Sequence, residues 1–144
     1  MFSKACEYGI RAVIFLTSKS KNGERTNITD ISEKINSPPA FTAKILQKLV
    51  KGSIVSSVKG PNGGFYISEK DSARISLAEI VNIIDGDKVF NGCGLGLKDC
   101  NALNPCPLHH KFKAVREDLK KILKETSLKE LAEQVENGTA ILKI

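Results

Sequence analysis

Apolar positions along the chain recur at helical spacing, and polar, glycine-bearing or proline-bearing segments interrupt them. Tyr8, Ala12, Val13, Phe15 and Leu16 form one broad apolar face, predicting a helix that Ser3 caps and that runs to about Lys19. Residues 20–26 read as a polar turn. Ile31 and Ile35 share one side of a short helix over about 30–35, capped by Thr29. Ser37-Pro38-Pro39 ends that helix and opens another, because proline is tolerated in a first helical turn. Over about 39–51, Phe41, Ile45, Leu46 and Leu49 make a core stripe. The opposite face, Ala40, Lys44, Gln47, Lys48 and Lys51, is basic and free of carboxylates, and Gly52 closes the helix. Two β-prone runs follow, 54–58 and 65–67, joined by Lys59-Gly60-Pro61-Asn62-Gly63-Gly64.

Ser76-Leu77-Ala78-Glu79 is a capping box that opens a helix ending near Asp85-Gly86. From residue 108 the apolar positions are Leu108, Phe112, Val115, Leu119 and Ile122, spaced alternately by four and three. This heptad seam is too short for a free coiled coil but suits a helix that packs on a second copy of itself. Ser127-Leu128-Lys129-Glu130 opens a last helix to about Val135. The order of elements predicts a mainly α fold: a winged helix-turn-helix with a small β-hairpin wing, followed by a long dimerisation helix. Three segments are expected. They are a DNA-binding module over 1–70, a connecting helix and cysteine-rich loop over 71–107, and a dimerisation and C-terminal helical part over 108–144.

Charge sharpens this division. Residues 1–70 hold 11 Lys/Arg against 5 Asp/Glu, whereas residues 71–144 hold 11 of each. The whole net charge of +6 therefore lies in the first part, beside the expected helix-turn-helix, and points to a polyanion partner. Lys44, Lys48 and Lys59 are placed to meet phosphates. Pro39, Ala40 and Thr42 lie in the first turn of the recognition helix, where base edges are read, and Gly60, Asn62 and Gly63 offer backbone at the wing tip. No apolar run approaches the roughly 18 residues of a membrane span, and the N-terminus lacks a signal-peptide pattern, so a cytoplasmic protein is expected.

Candidate chemistry concentrates in one loop. Cys93, Cys100 and Cys106 are spaced C-x6-C-x5-C, with His109 three positions after the last. Gly92, Gly94 and Gly96 let the backbone turn closely around the sulfurs, and Pro105 and Pro107 stiffen Cys106. Cys6, alone in the first helix, reads as a small buried hydrophobe. Three thiolates with one other ligand suit an asymmetric, labile iron–sulfur cluster. A Cys3His zinc site has the right donors, but gaps of six and five are not zinc knuckles. A thiol switch, for instance a Cys93–Cys100 disulfide, is the third reading. An electron-transfer protein would present four cysteines and an acidic docking surface, and no nucleophile–base pair or phosphate loop suggests an enzyme.

Several phrases resemble the IscR/NsrR type of winged-helix bacterial transcription regulators along nearly the whole chain. They are Tyr8-Gly9-Ile10-Arg11-Ala12, Ile45-Leu46-Gln47-Lys48-Leu49, Val58-Lys59-Gly60-Pro61-Asn62-Gly63-Gly64-Phe65 and Cys106-Pro107-Leu108-His109. The resemblance implies a homodimer that binds double-stranded DNA at a palindromic operator, as a repressor. It also implies a 2Fe-2S or 4Fe-4S cluster on Cys93, Cys100 and Cys106 that responds to redox state, nitric oxide or cluster and iron supply. The first gap is x6 here, where cluster-bearing relatives have x5, and some relatives lack the cluster and sense thiols or metabolites. For the fourth ligand, spacing points to His109, about one helical turn past Cys106. The nitric-oxide-sensing relatives instead imply an acidic residue on the first helix of the other chain, which is Glu7 of the partner subunit.

Overall fold

Helix α1 (Lys4–Ser20) runs through the middle of the molecule, and its sequence explains why. Cys6, Gly9, Ala12, Val13, Ile14, Leu16 and Thr17 are all buried, a face too broad for one neighbour to cover. Helices α2 (Ile28–Ile35), α3 (Pro39–Lys51), α5 (Leu77–Asp85) and α8 (Leu128–Glu136) all pack on it. Gly9 lets two of them come close, since a Cβ there would run into Ile84 of α5 and touch Ile45 of α3. The computed structural model describes residues 1–144, and the remaining elements are β1 (Ser56–Val58), β2 (Gly64–Tyr66), α4 (Glu69–Arg74), α6 (Lys88–Asn91) and α7 (His109–Glu125). The fold is mainly helical with one small antiparallel hairpin.

Local chemistry sets each boundary. The Ser3 hydroxyl accepts from the Cys6 amide at 3.1 Å and starts α1. Helix α2 begins earlier than the expected Thr29 cap. The Asn27 side chain accepts from the Asp30 amide at 2.9 Å, which brings Ile28 into the helix and against the core. Asn36 closes α2 in the left-handed region at φ 53°, and Ser37-Pro38 carries the chain into α3. The recognition-helix register also differs from expectation. Thr42 is only 1% exposed and its hydroxyl donates to the Pro38 carbonyl at 3.0 Å, so it belongs to the core with Ile45, Leu46 and Leu49. Phe41 is 36% exposed and meets Tyr8 edge-on, with ring centroids 5.8 Å apart.

The hairpin is shorter than the β-prone runs because Ile54, Val55 and Ile67 are buried anchors beyond the ladder. A third strand-like contact widens it: Thr26 donates to the Phe65 carbonyl at 3.0 Å and accepts from the Phe65 amide at 2.8 Å. Helices α4 and α6 are too short and polar to show a period, and neither was foreseen. The Ser76 capping box and the Ser127 N-cap meet in space, with Leu77 N donating to Thr126 O at 2.8 Å and Leu128 N donating to Ile75 O at 3.2 Å. These bonds tie the entrances of α5 and α8 together.

Two glycines separate backbone strain from collision. Gly23 (φ +73°) faces open space, whereas a Cβ at Gly64 (φ +143°) would lie 2.9 Å from the Thr26 carbonyl oxygen. Gly23→Ala is expected to cost only left-handed strain, about 1–2 kcal/mol. Gly64→Ala adds overpacking of about 1–3 kcal/mol and should break the Thr26–Phe65 pairing. Urea denaturation with amide exchange at Phe65 checks this, and equal protection in both variants would refute it.

Candidate metal centre and nucleic-acid interface

The loop between α6 and α7 has almost no apolar core of its own. Leu95, Leu97 and Leu103 are exposed, and the polar bonds of the backbone shape the turn. Gly96 adopts φ +71°, and the Asn101 side chain accepts from the amides of Leu103 and Asn104, both at 2.9 Å. The result brings three distant thiols together. Cys93, Cys100 and Cys106 are half-buried, with all three sulfurs within 4.8 Å of one another. Cys93 and Cys106 lie 3.7 Å apart, and no disulfide joins any pair.

Backbone amides point at these sulfurs. Leu95 N donates to Cys93 Sγ at 3.4 Å, and Cys106 N donates to Cys100 Sγ at 3.4 Å. The amides of Leu95 and Leu97 hold the Cys93 thiol down to about 7. The Cys106 amide draws the Cys100 thiol down too, but burial and the neighbouring Cys106 and Cys93 thiols outweigh it and leave Cys100 above its ordinary value. His109, at the start of α7, approaches one of the three, with Nδ1 3.4 Å from Cys100 Sγ, and stands outside the converging set itself. Burial and the nearby charges of His110, Arg116 and Lys113 push its pKa down, favouring the neutral imidazole that ligates metals. Glu7 stands in the first turn of α1, where it pairs with Lys4 at 3.3 Å and takes no part in the trio.

The donor set fits a soft metal or an iron–sulfur cluster. Two contacts on either side of α6, one made by the loop and one by the end of α5, are ones that no spacing rule reveals. Gly94 lies beneath the Phe112 ring, where a Cβ would come within 2.6 Å of Cδ2, so the loop bears on α7. At the other end, Asp85 precedes α6 and clamps the start of α1. Its carboxylate accepts from Ser3 N at 2.9 Å and from the Ser3 hydroxyl. It also faces Cys6, whose thiol is pushed up to about 12 by burial first and by Asp85 second. Cys6 is therefore the core residue that its isolated position suggested.

On the opposite side, α3 exposes Pro39, Ala40, Lys44, Gln47, Lys48 and Lys51. An open groove separates the second half of α3 from the wing, with Lys51 and Lys59 on its two walls and Gly60, Pro61 and Gly63 at its end. Asn62 is exposed at the wing tip. Thr42 is corrected: expected among the base-reading positions, it faces the core and presents nothing to a ligand. Along α7, Phe112, Val115 and Ile122 are exposed at 37%, 60% and 60%, while Leu108 and Leu119 are half-buried, Leu119 against the core of its own chain. No helix is long and apolar enough to cross a membrane.

A helix-turn-helix with a glycine-tipped wing, joined to a loop of converging thiols, defines the class as a winged-helix transcription regulator with a thiol-based centre. The family model described as Rrf2, an iron-dependent transcriptional regulator, matches residues 2–134, and the chain belongs to that family. It is a transcriptional regulator and not an enzyme. An HTH-type transcriptional regulator of Aquifex aeolicus is 30% identical over 134 residues, covering 91% of this chain and 90% of that protein. The regulator IscR of Xenorhabdus nematophila is 29% identical over 129 residues, covering 90% and 77%. Among solved structures, CymR, the global cysteine regulator of B. subtilis, superposes with a TM-score of 0.75 at 20% identity, covering 92% of this chain and 96% of that one. IscR of T. potens gives the same TM-score at 17% identity, covering 99% and 93%. Both likenesses establish the winged-helix fold.

The thiols should differ in reactivity. In the metal-free chain, Cys93 alkylation by iodoacetamide should rise as pH climbs through about 7, as its thiolate forms, with Cys100 following only at higher pH. Cys6, with a pKa near 12, should stay unmodified over the same range. Peptide mass spectrometry reads the order, and equal rates at all positions would contradict it.

Proposed function

We propose that the chain is a homodimeric repressor whose affinity for a palindromic operator is set by an iron–sulfur cluster on Cys93, Cys100 and Cys106. The observation that carries this reading is the convergence of three sulfurs within 4.8 Å on a loop in contact with α7 and continuous with the clamp on α1. A bound cluster supplies a redox-sensitive and ligand-sensitive tie between three points of the loop. The protein side supplies the rest. The Leu95 and Cys106 amides stabilise thiolates, Gly94 transmits loop position to Phe112, and Asp85 holds the first turn of α1.

For the fourth ligand, the 3.4 Å approach to Cys100 supports His109 of the same chain. The family resemblance supports Glu7 of the partner subunit, which would join the centre of one chain to α1 of the other. Anaerobic reconstitution of His109→Ala and Glu7→Ala separates them. His109→Ala should shift the visible spectrum and shorten cluster lifetime, while Glu7→Ala keeps both. The reverse pattern would assign Glu7.

A mononuclear zinc site is a second reading with an observation in its favour. A tetrahedral site with Zn–S bonds of about 2.3 Å has sulfurs about 3.8 Å apart, close to the 3.7 Å between Cys93 and Cys106. Zinc is d10 and gives no visible charge-transfer bands, so metal analysis with absorption spectra decides between the two.

DNA contact follows from Lys44, Lys48 and Lys59 with Pro39 and Ala40, the wing backbone at Gly60, Asn62 and Gly63 completing the surface. Each phosphate contact contributes about −0.9 to the log–log salt slope. Lys48→Ala and Lys59→Ala should each weaken binding and flatten the slope by about one unit. An unchanged slope in both would remove them from the interface. Dimerisation is assigned to Leu108, Phe112, Val115, Leu119 and Ile122. Val115 and Ile122 are the informative positions, because their exposure leaves the fold of one chain indifferent to substitution. Val115→Lys with Ile122→Lys should sediment as a monomer with a parental circular dichroism spectrum. A dimer at micromolar concentration would move the interface elsewhere.

A further inference from the structure

Arg25 lies outside the recognition helix and the hairpin, yet the fold seats it at the wing tip. After the turn at Gly23, Thr26 is bonded to Phe65 in both directions, which fixes the preceding residue beside the hairpin. One guanidinium nitrogen of Arg25 donates to the Asn62 carbonyl at 3.3 Å, and the guanidinium carbon stands 5.8 Å from the centre of the Tyr66 ring. A guanidinium carries five N–H donors, so most remain unused. No carboxylate neutralises it: Arg25 takes part in none of the ion pairs, and the adjacent Glu24 turns to Lys19 at 3.6 Å.

The cleft around Arg25 is lined by Gly23, Asn27, Pro61, Asn62 and Gly63, with no acid among them. Three of these, Asn27, Pro61 and Gly63, also line the groove between α3 and the wing. The wing tip is thus the wall between a groove flanked by Lys51 and Lys59 and a second, polar cleft holding Arg25. On the DNA-binding reading, α3 lies in a major groove, which would leave the first groove to a phosphate strand and the wing tip to the minor groove beside it.

We propose that Arg25 enters that minor groove beside each half-site and selects flanking sequence by groove width. The inference rests on the DNA-binding reading above. Narrow A·T-rich minor grooves carry an enhanced negative potential that attracts arginine. The competing role is a brace, in which Arg25 only holds the wing through Asn62 and Tyr66.

The full chain, purified anaerobically, would first select its site from a random duplex library. That site would then be flanked with A·T, G·C or inosine·C pairs, inosine lacking the minor-groove amino group of guanine. The parent should bind the A·T-flanked and inosine-flanked duplexes about fivefold or more tighter than the G·C-flanked one. Arg25→Ala should bind all three alike, with a salt slope smaller in magnitude by about 0.9 and parental exchange protection of the Phe65 amide. Retention of the flank preference and slope in Arg25→Ala overturns the proposal, as does their loss together with Phe65 protection, which is the signature of a brace. If the parent selects no sequence and binds no duplex, the DNA-binding reading falls and this one falls with it.

Discussion

Three thiols held within 4.8 Å resist ionising together, because each thiolate disfavours a second like charge beside it. The metal-free loop therefore divides its thiols, with Cys93 inclined to the thiolate and Cys100 to the thiol. A bound metal centre removes that conflict and makes every sulfur an anionic ligand. Because Leu95, Leu97 and Leu103 contribute no core, the loop is held by a few polar bonds around Asn101 and Gly96 and by the Gly94–Phe112 contact. In the proposed reading, a centre on the three sulfurs would add the strongest of its ties.

The surroundings give loop order a consequence. Helix α1 is the shared neighbour of α2, α3, α4, α5, α8 and β2: α3 and α5 pack on it at Gly9, α8 covers another side, and Asp85 fastens its first turn. Asp85 is separated from Cys93 only by the short helix α6. On the other flank, Gly94 supports Phe112 at the exposed apolar edge of α7. In the proposed dimer, a change in the loop would reach both the helix that seats the recognition helix and the face assigned to dimerisation, and so the fit of two half-sites to one duplex.

Much of this was legible in the residues. Ser3, Gly52, the capping box at Ser76 and the N-cap at Ser127 mark element ends, since a cap is a local hydrogen bond with a short sequence signature. The cysteine loop was legible as a donor set, although its closure depends on Gly96 and Asn101 bonds that spacing alone does not encode. Register was harder to read. Thr42 and Phe41 exchange inside and outside because a threonine methyl fills the core while its hydroxyl bonds the preceding turn, a choice that binary patterning misreads. Asn27 displaced Thr29 as a cap because both are good capping residues, and tertiary burial of Ile28 decided between them. Helices α4 and α6 carry no period long enough to read. The Asp85 clamp and the Gly94–Phe112 contact join residues far apart in sequence, so no local signal announces them.

The proposed function requires that a metal centre on Cys93, Cys100 and Cys106 and the DNA-binding surface share one free energy. It is tested most directly by operator affinity, measured at one fixed salt concentration, for the anaerobically loaded chain and for the same preparation stripped with a chelator. In the proposed reading the loaded and stripped chains differ in affinity by about tenfold or more, equivalent to about 1.4 kcal/mol of coupling. Equal affinities for the loaded and stripped chains would contradict it.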